Sequence, residues 1–214
     1  MKVKLISYSQ AADGGDKTLQ DLVAYCARVS NPDNQINQNN VSNEKLINYL
    51  IKNNHWSPFE VVSICIEIEA TRDIIRQILR HRSFSFQEFS QRYAVADLGF
   101  EYKETRMQDL KNRQNSIPTD NEDLKEEWLQ KQQNISELIQ KEYSWALKNG
   151  IAKEQARAVL PEGMTLSKIY MNGTLRSWIH YIQLRTSNGT QQEHRDIAIE
   201  CAKIIDSIFP MKTG

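Results

Sequence analysis

A chain of 214 residues, 40% hydrophobic and 25% charged, has the composition of an ordinary globular protein, long enough to bury one sizeable core. Its 27 Lys and Arg balance 27 Asp and Glu, which argues against the basic excess usual in proteins that bind polymeric nucleic acid and leaves local basic pockets as the way to hold anions. Cysteines at 26, 65 and 201 without a Cys-x-x-Cys suggest neither a disulfide framework nor a zinc site; with no signal peptide in Met1-Lys2-Val3-Lys4-Leu5 and no apolar run of membrane-spanning length, a reducing, cytoplasmic setting is expected.

Residues 2–8 alternate weakly and predict a short strand. Leu19, Leu22, Val23 and Cys26 form one stripe of a helix expected over 18–29, with Thr18 as its cap. Residues 31–43 are rich in Asn and read as a polar loop. A second helix, over about 43–53, turns Leu46, Ile47, Leu50 and Ile51 inward. His55-Trp56-Ser57-Pro58-Phe59-Glu60 is a connector fixed by its proline. In the strand that follows, Val62, Ile64, Ile66 and Ile68 share one phase and Ser63, Cys65, Glu67 and Glu69 the other, the pattern of a sheet buried on one face. Thr71 is expected to cap a helix with Ile74, Ile75, Ile78 and Leu79 inward. That helix carries Arg72, Arg76 and Arg80 on a second face and delivers Arg80-His81-Arg82 at its last turn.

Residues 83–93 and 94–117 read as loop, the latter with short strands. The longest helix is expected over 119–148, with Leu124, Trp128, Ile135, Leu138, Ile139 and Trp145 as its inward side and Lys148-Asn149-Gly150 as its stop. A short helix over 152–159 carries Arg157 and ends at Leu160-Pro161, and 164–171 predicts a strand. Thr174 opens a helix with Leu175, Trp178, Ile179 and Ile182 inward and Arg176, His180 and Gln183 on another face. Thr190-Gln191-Gln192-Glu193 reads as the capping box of the last helix, whose Ile197, Cys201, Ile204, Ile205 and Ile208 face inward before Pro210. No repeat, linker or low-complexity stretch divides the chain. The fold class is therefore α/β (α+β): a single domain over 1–214, helix-rich, around a small mostly antiparallel sheet.

Chemistry concentrates in Arg80-His81-Arg82-Ser83-Phe84-Ser85-Phe86-Gln87-Glu88-Phe89-Ser90-Gln91-Arg92-Tyr93. Three Arg, a His and three Ser are the forked and compact donors that anionic oxygens require. The stretch suits surface ion pairs, a single-stranded nucleic acid with Arg on phosphates and Phe on bases, or a small phosphorylated ligand. No Gly-x-Gly-x-x-Gly, Walker loop or Gly-x-Ser-x-Gly elbow is present, and no metal-ligand spacing occurs. A bound nucleotide must then be held by side chains. Ser90 as a nucleophile lacks a sequence-local base.

Arg80-His81-Arg82, seven residues, Ser90, one residue and Arg92 resembles the signature of the flavin-dependent thymidylate synthases, the ThyX family. His55 to Glu60 is similar to the family's His-x-Ser/Thr-Pro-Phe-Glu segment, Arg157-Ala158-Val159-Leu160-Pro161 to its Ala-Arg-x-x-Leu-Pro segment, and Leu184-Arg185 to its late Leu-Arg. The resemblance implies FAD contacts at His55, Ser57, Arg80, His81, Arg82, Glu88, Arg176 and His180, with the turn at Thr174-Leu175. It implies dUMP contacts at Gln77, Ile78, Leu79, Arg80, Glu88, Phe89, Ser90, Gln91, Arg92, Arg157 and Arg185. Arg185 is the implied catalytic residue, stabilising an N3-deprotonated uracil; on spacing alone it serves equally as a cation at a helix C-terminus.

The implied reaction is methylation of dUMP to dTMP at C5, with methylenetetrahydrofolate as one-carbon donor, NADPH-reduced FAD as hydride source and no cysteine nucleophile. The implied assembly is a homotetramer with shared active sites; no metal, nucleic-acid or membrane partner is expected. Many members carry Asn where this chain has Gln87, and His where it has Val61. The competing readings are a single-stranded nucleic-acid module and a flavoprotein fold without catalysis.

Overall fold

A computed structural model describes residues 1–12, 17–37 and 39–210. The alternation of the sequence becomes a four-stranded antiparallel sheet in the order β1 (Lys2–Tyr8), β2 (Ser63–Thr71), β6 (Leu166–Thr174), β3 (Phe84–Glu88). A separate hairpin pairs β4 (Arg106–Gln108) with β5 (Ser116–Pro118). The helices are α1 (Leu19–Ala27), α2 (Pro32–Ile36), α3 (Asn40–Lys52), α4 (Arg72–Ile78), α5 (Glu122–Lys148), α6 (Lys153–Ala156), α7 (Leu175–Arg185) and α8 (Gln192–Ile208), with 3-10 turns at Ser57–Glu60 and Arg157–Val159.

One face of the sheet is dry. Ile64, Ile66 and Ile68 of β2 lie beside Ile169 and Met171 of β6 and Phe84 of β3, under Ile74, Ile75 and Ile78 of α4, Trp178 of α7 and Ile197 and Cys201 of α8. Each such side chain contributes about 1.5–3 kcal/mol before conformational entropy is counted. The Trp178 indole donates to the Ile64 carbonyl at 3.0 Å, so its one polar atom is satisfied within the core. Gly173 stands opposite Phe84 in the register, and a Cβ there would overlap the Phe84 ring. Gly173→Ala is expected to cost about 1–3 kcal/mol and to lower the melting temperature by about 2–4 °C per kcal/mol, which scanning calorimetry will read.

Several expectations are corrected. The Asn-rich stretch holds α2, capped by the Asn31 side chain, and α3 starts early because Asn39 and Ser42 form a capping box. Residues 84–88 are a strand, because Phe84, Phe86 and Glu88 alternate with Ser85 and Gln87. The helix before it stops at Ile78, so Arg80-His81-Arg82 occupies the turn into β3. Thr71 stands at the N-cap of α4 without bonding it; its hydroxyl takes the Lys103 ammonium at 2.7 Å. The last helix likewise lacks the capping box expected at Thr190, since Gln191 is its N-cap and Glu193 is engaged elsewhere.

The largest correction concerns α5. Trp128, Ile135, Leu138 and Trp145 are 41–58% exposed, while Gln132, Ser136, Tyr143 and Ala146 are buried. The buried face is anchored by hydrogen bonds. The Gln132 amide accepts from Lys103 N–H at 2.7 Å and donates to Lys103 C=O at 3.0 Å, and Ser136 bonds the Tyr102 hydroxyl at 2.9 Å. Polar anchoring leaves the apolar stripe open to another surface.

Candidate active site

The turn after α4, the C-terminal end of α7 and the first turn of α8 bring Gln77, His81, Tyr181, Arg185 and His194 together. Arg185 Nε donates to His81 Nε2 at 2.9 Å. An imidazolium has no lone pair to offer, so this bond requires neutral His81. Burial, then Arg185 and Arg80, hold His81 down to about 4. Arg185 has no carboxylate partner among the described residues, and its two terminal nitrogens make no protein hydrogen bond there. It is thus fixed at one nitrogen and open at two.

Beneath this pair the His81 ring meets Tyr181 edge-on, centroids 4.9 Å apart. Tyr181 bonds His194 Nε2 at 3.1 Å, and His194 Nδ1 lies 3.3 Å from the Gln77 side-chain oxygen. Burial pushes the Tyr181 hydroxyl well up, so it keeps its proton. Gln77 Nε2 donates to Gln191 at 2.7 Å, and Gln191 donates to Glu193 at 3.0 Å. Arg106 pairs with the other Glu193 oxygen. Burial opposes the charge on Glu193, but its backbone N–H, Arg106 and Gln191 prevail and hold its carboxyl below the usual range.

Burial, then Arg185 and His81, bring fully buried His194 down to about 3. An unfolded histidine titrates near 6.5. The unfolded chain therefore takes up protons first, and the stability these histidines contribute is complete above about pH 6.5, falls away below it, and is fully lost once pH has fallen through the folded values near 4 and 3. From pH 7 to 5 we expect a loss on the order of 2 kcal/mol from His194, with a smaller, solvent-screened share from His81. Urea melts at pH 7, 6 and 5 will show it; a flat midpoint over that range would contradict it.

A second group lies at the start of α7. Thr174 caps this helix through Ser177 N–H at 3.3 Å, and Leu175 N–H donates to Val62 C=O at 3.0 Å. The Ser177 hydroxyl donates to Ser83 C=O at 3.2 Å, tying the Arg80–Ser83 turn to this end of α7. Arg176 pairs with Glu60, and the exposed His180 ring meets Trp56 edge-on at 4.7 Å. Ser57 opens the 3-10 turn nearby, and His55, exposed, touches Tyr49 at 5.9 Å. Arg80 and Arg82 are exposed and form no ion pair among the described residues.

A third group gathers around Glu154, which sequence reasoning passed over. Its carboxylate receives Arg92 at 3.4 Å and its carbonyl receives Arg157 Nε at 3.3 Å, while Lys153 reaches the Tyr93 carbonyl at 3.0 Å. A groove of about 470 Å³ lined by Arg92, Val95, Leu147, Ile151 and Lys153 opens here. Ser90 begins the turn that leads to it, and buried Gln91 leaves its Nε2 without a protein partner among the described residues.

Glu88 faces the dry side of the sheet edge, where Arg72 at 3.1 Å and the Ser167 hydroxyl at 3.3 Å both reach one oxygen. Phe89 extends the pairing through its N–H to Lys168 C=O at 2.8 Å. Arg72 and Arg76 are committed to Glu88 and Glu162, so the Arg72–Arg76–Arg80 stripe is not one binding surface. Ile78 is fully buried and Leu79 is half-buried; Ile78 offers its carbonyl to His81 N–H at 3.0 Å.

Gln77, His81 and Arg185 are therefore brought together, as are Arg92 with Arg157 and the Arg80–Arg82 turn with Thr174–Arg176. Arg92 and Arg157 share no hydrogen bond or ion pair with the Arg185 group among the described residues. Tyr181, Gln191, Glu193 and His194 went unassigned in the sequence as members of this site. For His194 no local signal existed, because its partners lie 13 and 117 residues away.

Residues 4–211 match the family model described as thymidylate synthase complementing protein. The chain is 49% identical over 210 residues to a probable flavin-dependent thymidylate synthase of Paramecium bursaria Chlorella virus 1, covering 98% of this chain and 96% of that relative. It is 46% identical over 213 residues to a flavin-dependent thymidylate synthase of Synechocystis sp., with the same coverage. The crystal structure of a UMP/dUMP methylase PolB from Streptomyces cacaoi bound with 5-Br dUMP superposes with a TM-score of 0.82 at 26% identity, covering 98% of this chain and 91% of that one.

Proposed function

Because the chain belongs to the thymidylate synthase complementing protein family, we propose that it is a flavin-dependent thymidylate synthase, a methyltransferase that converts dUMP to dTMP with methylenetetrahydrofolate as one-carbon donor. FAD, reduced by NADPH, supplies the hydride when bound. The single observation that carries the reading is Arg185, anchored through Nε on a neutral histidine and carrying two unengaged donors. A guanidinium in that state is preorganised for a planar, anionic oxygen–nitrogen edge such as N3-deprotonated uracil. Each unit by which it lowers the uracil pKa needs about 1.4 kcal/mol of preference for the anion.

The residues present fit the flavin. Its pyrophosphate needs cations, and Arg80 and Arg82 have no carboxylate to displace among the described residues, on a turn tied to the Thr174–Arg176 helix start. Arg92 and Arg157 fit the dUMP phosphate, with Ser90 and the unpartnered Gln91 amide on the same turn. Glu88, ordered by Arg72, accepts donors from either ligand. The Arg92 group and the Arg185 group are bonded to separate parts of one chain, and α5 presents an outward stripe of Trp128, Ile135, Leu138 and Trp145. Both features support a homotetramer that completes each site with more than one copy of this single-domain chain.

Burial raises the Cys65 and Cys201 thiols, so neither is poised as a thiolate, consistent with a route without a cysteine nucleophile. No helix among the described residues is long and apolar enough to cross a membrane, and we place the enzyme in the cytoplasm. The nucleic-acid alternative needs free phenylalanine faces, whereas Phe84 is buried against Trp178 and Phe86 packs on the core. Visible absorption of the purified protein, before and after dUMP, tests the proposal. Flavin bands that respond to dUMP are expected; a protein that stays colourless with added FAD would refute it.

A further inference from the structure

The bonds beneath Arg185 form a chain with one direction. Glu193, a carboxylate paired with Arg106, can only accept. Gln191 therefore turns its amide nitrogen toward Glu193, at 3.0 Å, and its oxygen toward Gln77. Gln77 answers with its nitrogen, at 2.7 Å, and so turns its oxygen toward His194. That oxygen sits 3.3 Å from His194 Nδ1, which must carry the proton. His194 Nε2 is left with its lone pair and accepts from the Tyr181 hydroxyl at 3.1 Å. Every link is determined by its neighbour, and the sense is set at Glu193, far from the ligand-facing end.

We propose that His194 is a positioning residue for dUMP. Gln191 holds the Gln77 nitrogen and His194, in its Nδ1–H tautomer, holds the oxygen, so the amide is fixed at both ends and presents its remaining N–H to the nucleotide. Without His194 as donor, the Gln77 oxygen has no partner on that side, the amide is held only by its one bond to Gln191, and its free N–H is no longer aimed in a fixed direction. His194 itself is fully buried and touches no ligand; it acts through Gln77.

The inference rests on the thymidylate synthase reading, and the experiment separates the two. An asparagine amide nitrogen lies about where histidine Nδ1 does, so His194→Asn preserves the donor to Gln77 and His194→Leu abolishes it. With FAD-loaded protein, dUMP titrations followed by flavin absorption should give an affinity within about threefold of the unmodified enzyme for His194→Asn. For His194→Leu the affinity should be about tenfold weaker. Flavin content should be equal in the two variants, and so should melting temperature. Equal weakening in both, or a loss that tracks melting temperature alone, would overturn the proposal. If the leucine variant does not fold, Gln191→Ala cuts the chain on the other side of Gln77; about tenfold weaker dUMP binding supports the proposal and unchanged binding overturns it.

Should the unmodified FAD-loaded protein fail to bind dUMP, the functional reading falls. The tautomer then decides the chain. Long-range 1H–15N spectra of the histidine rings should show His194 protonated at Nδ1 and bare at Nε2, and the opposite tautomer would overturn it.

Discussion

Replacing Arg185 by lysine is expected to lower dTMP formation by about a hundredfold or more while the protein keeps its flavin. Removing one preorganised donor from a developing anion typically costs two to three orders of magnitude in rate. Lysine cannot substitute, because one ammonium cannot bond His81 and also present a two-pronged fork to the uracil edge. Arg185→Ala adds a readout independent of turnover. Arg185 is the larger of the two charged causes, after burial, of the low His81 value of about 4. Its loss should move His81 up toward the ordinary 6.5, with burial still holding it below. A pH titration of the His81 ring by NMR will show this. Full turnover in either variant would remove Arg185 from the mechanism, and a His81 value that stays near 4 would show that its charge does not reach the imidazole.

The second large effect is expected at Arg92. Arg92→Ala should weaken dUMP binding by about a hundredfold, since hydrogen bonds to charged groups contribute roughly 1.5–3 kcal/mol and a phosphate is the site's most charged partner. FAD content should not change, because Arg92 bonds Glu154 and not the turn at Arg80–Ser83. Glu154→Gln is the control: it removes the carboxylate from Arg92 but keeps the backbone carbonyl that Arg157 uses. A modest effect on dUMP is expected there, on the order of 1 kcal/mol or less for a half-exposed pair. Calorimetric titration of both ligands checks both variants. Parallel loss of FAD and dUMP in Arg92→Ala would mark the arginine as structural.

The strand β2 and the cores of α7 and α8 were legible because their apolar residues repeat with one period and one chain covers them. The period of β3 was also present, but two Arg and a His just before it made the stretch read as a binding loop, whereas the candidate residues ride on the rim of a sheet. On α5 the apolar stripe was visible and its direction was not. Periodicity says that Trp128, Ile135, Leu138 and Trp145 share a side; it does not say whether this chain or another covers it. Buried Gln132, with both amide ends on the backbone of Lys103, satisfies itself in a way no hydropathy pattern encodes.

The candidate site divides in the same way. Residues that lie near one another in sequence, such as Arg80 to Arg82, or that carry a recognisable spacing, such as Ser90 and Arg92, could be named in advance. Those that act across long separations could not. Glu154 and the Gln191–Glu193–His194 corner meet their partners only after folding, and their side chains are ordinary for helix starts and exposed helices.

The register of β3 carries a consequence for how this chain tolerates change. Phe84, Phe86 and Glu88 face the dry side because Phe84 sits over Gly173, where no side chain competes for the space. Side chains alternate along a strand, so a slip of one position would exchange these residues with Ser85, Gln87 and Phe89. Glu88 would leave Arg72 and Ser167 and turn to the opposite face. A single-residue insertion or deletion between Arg82 and Ser90 would therefore invert the segment even if every other residue were kept. Substitutions there are graded in effect; changes of length are all-or-none, and surviving length variants of this chain should have their gaps outside that stretch.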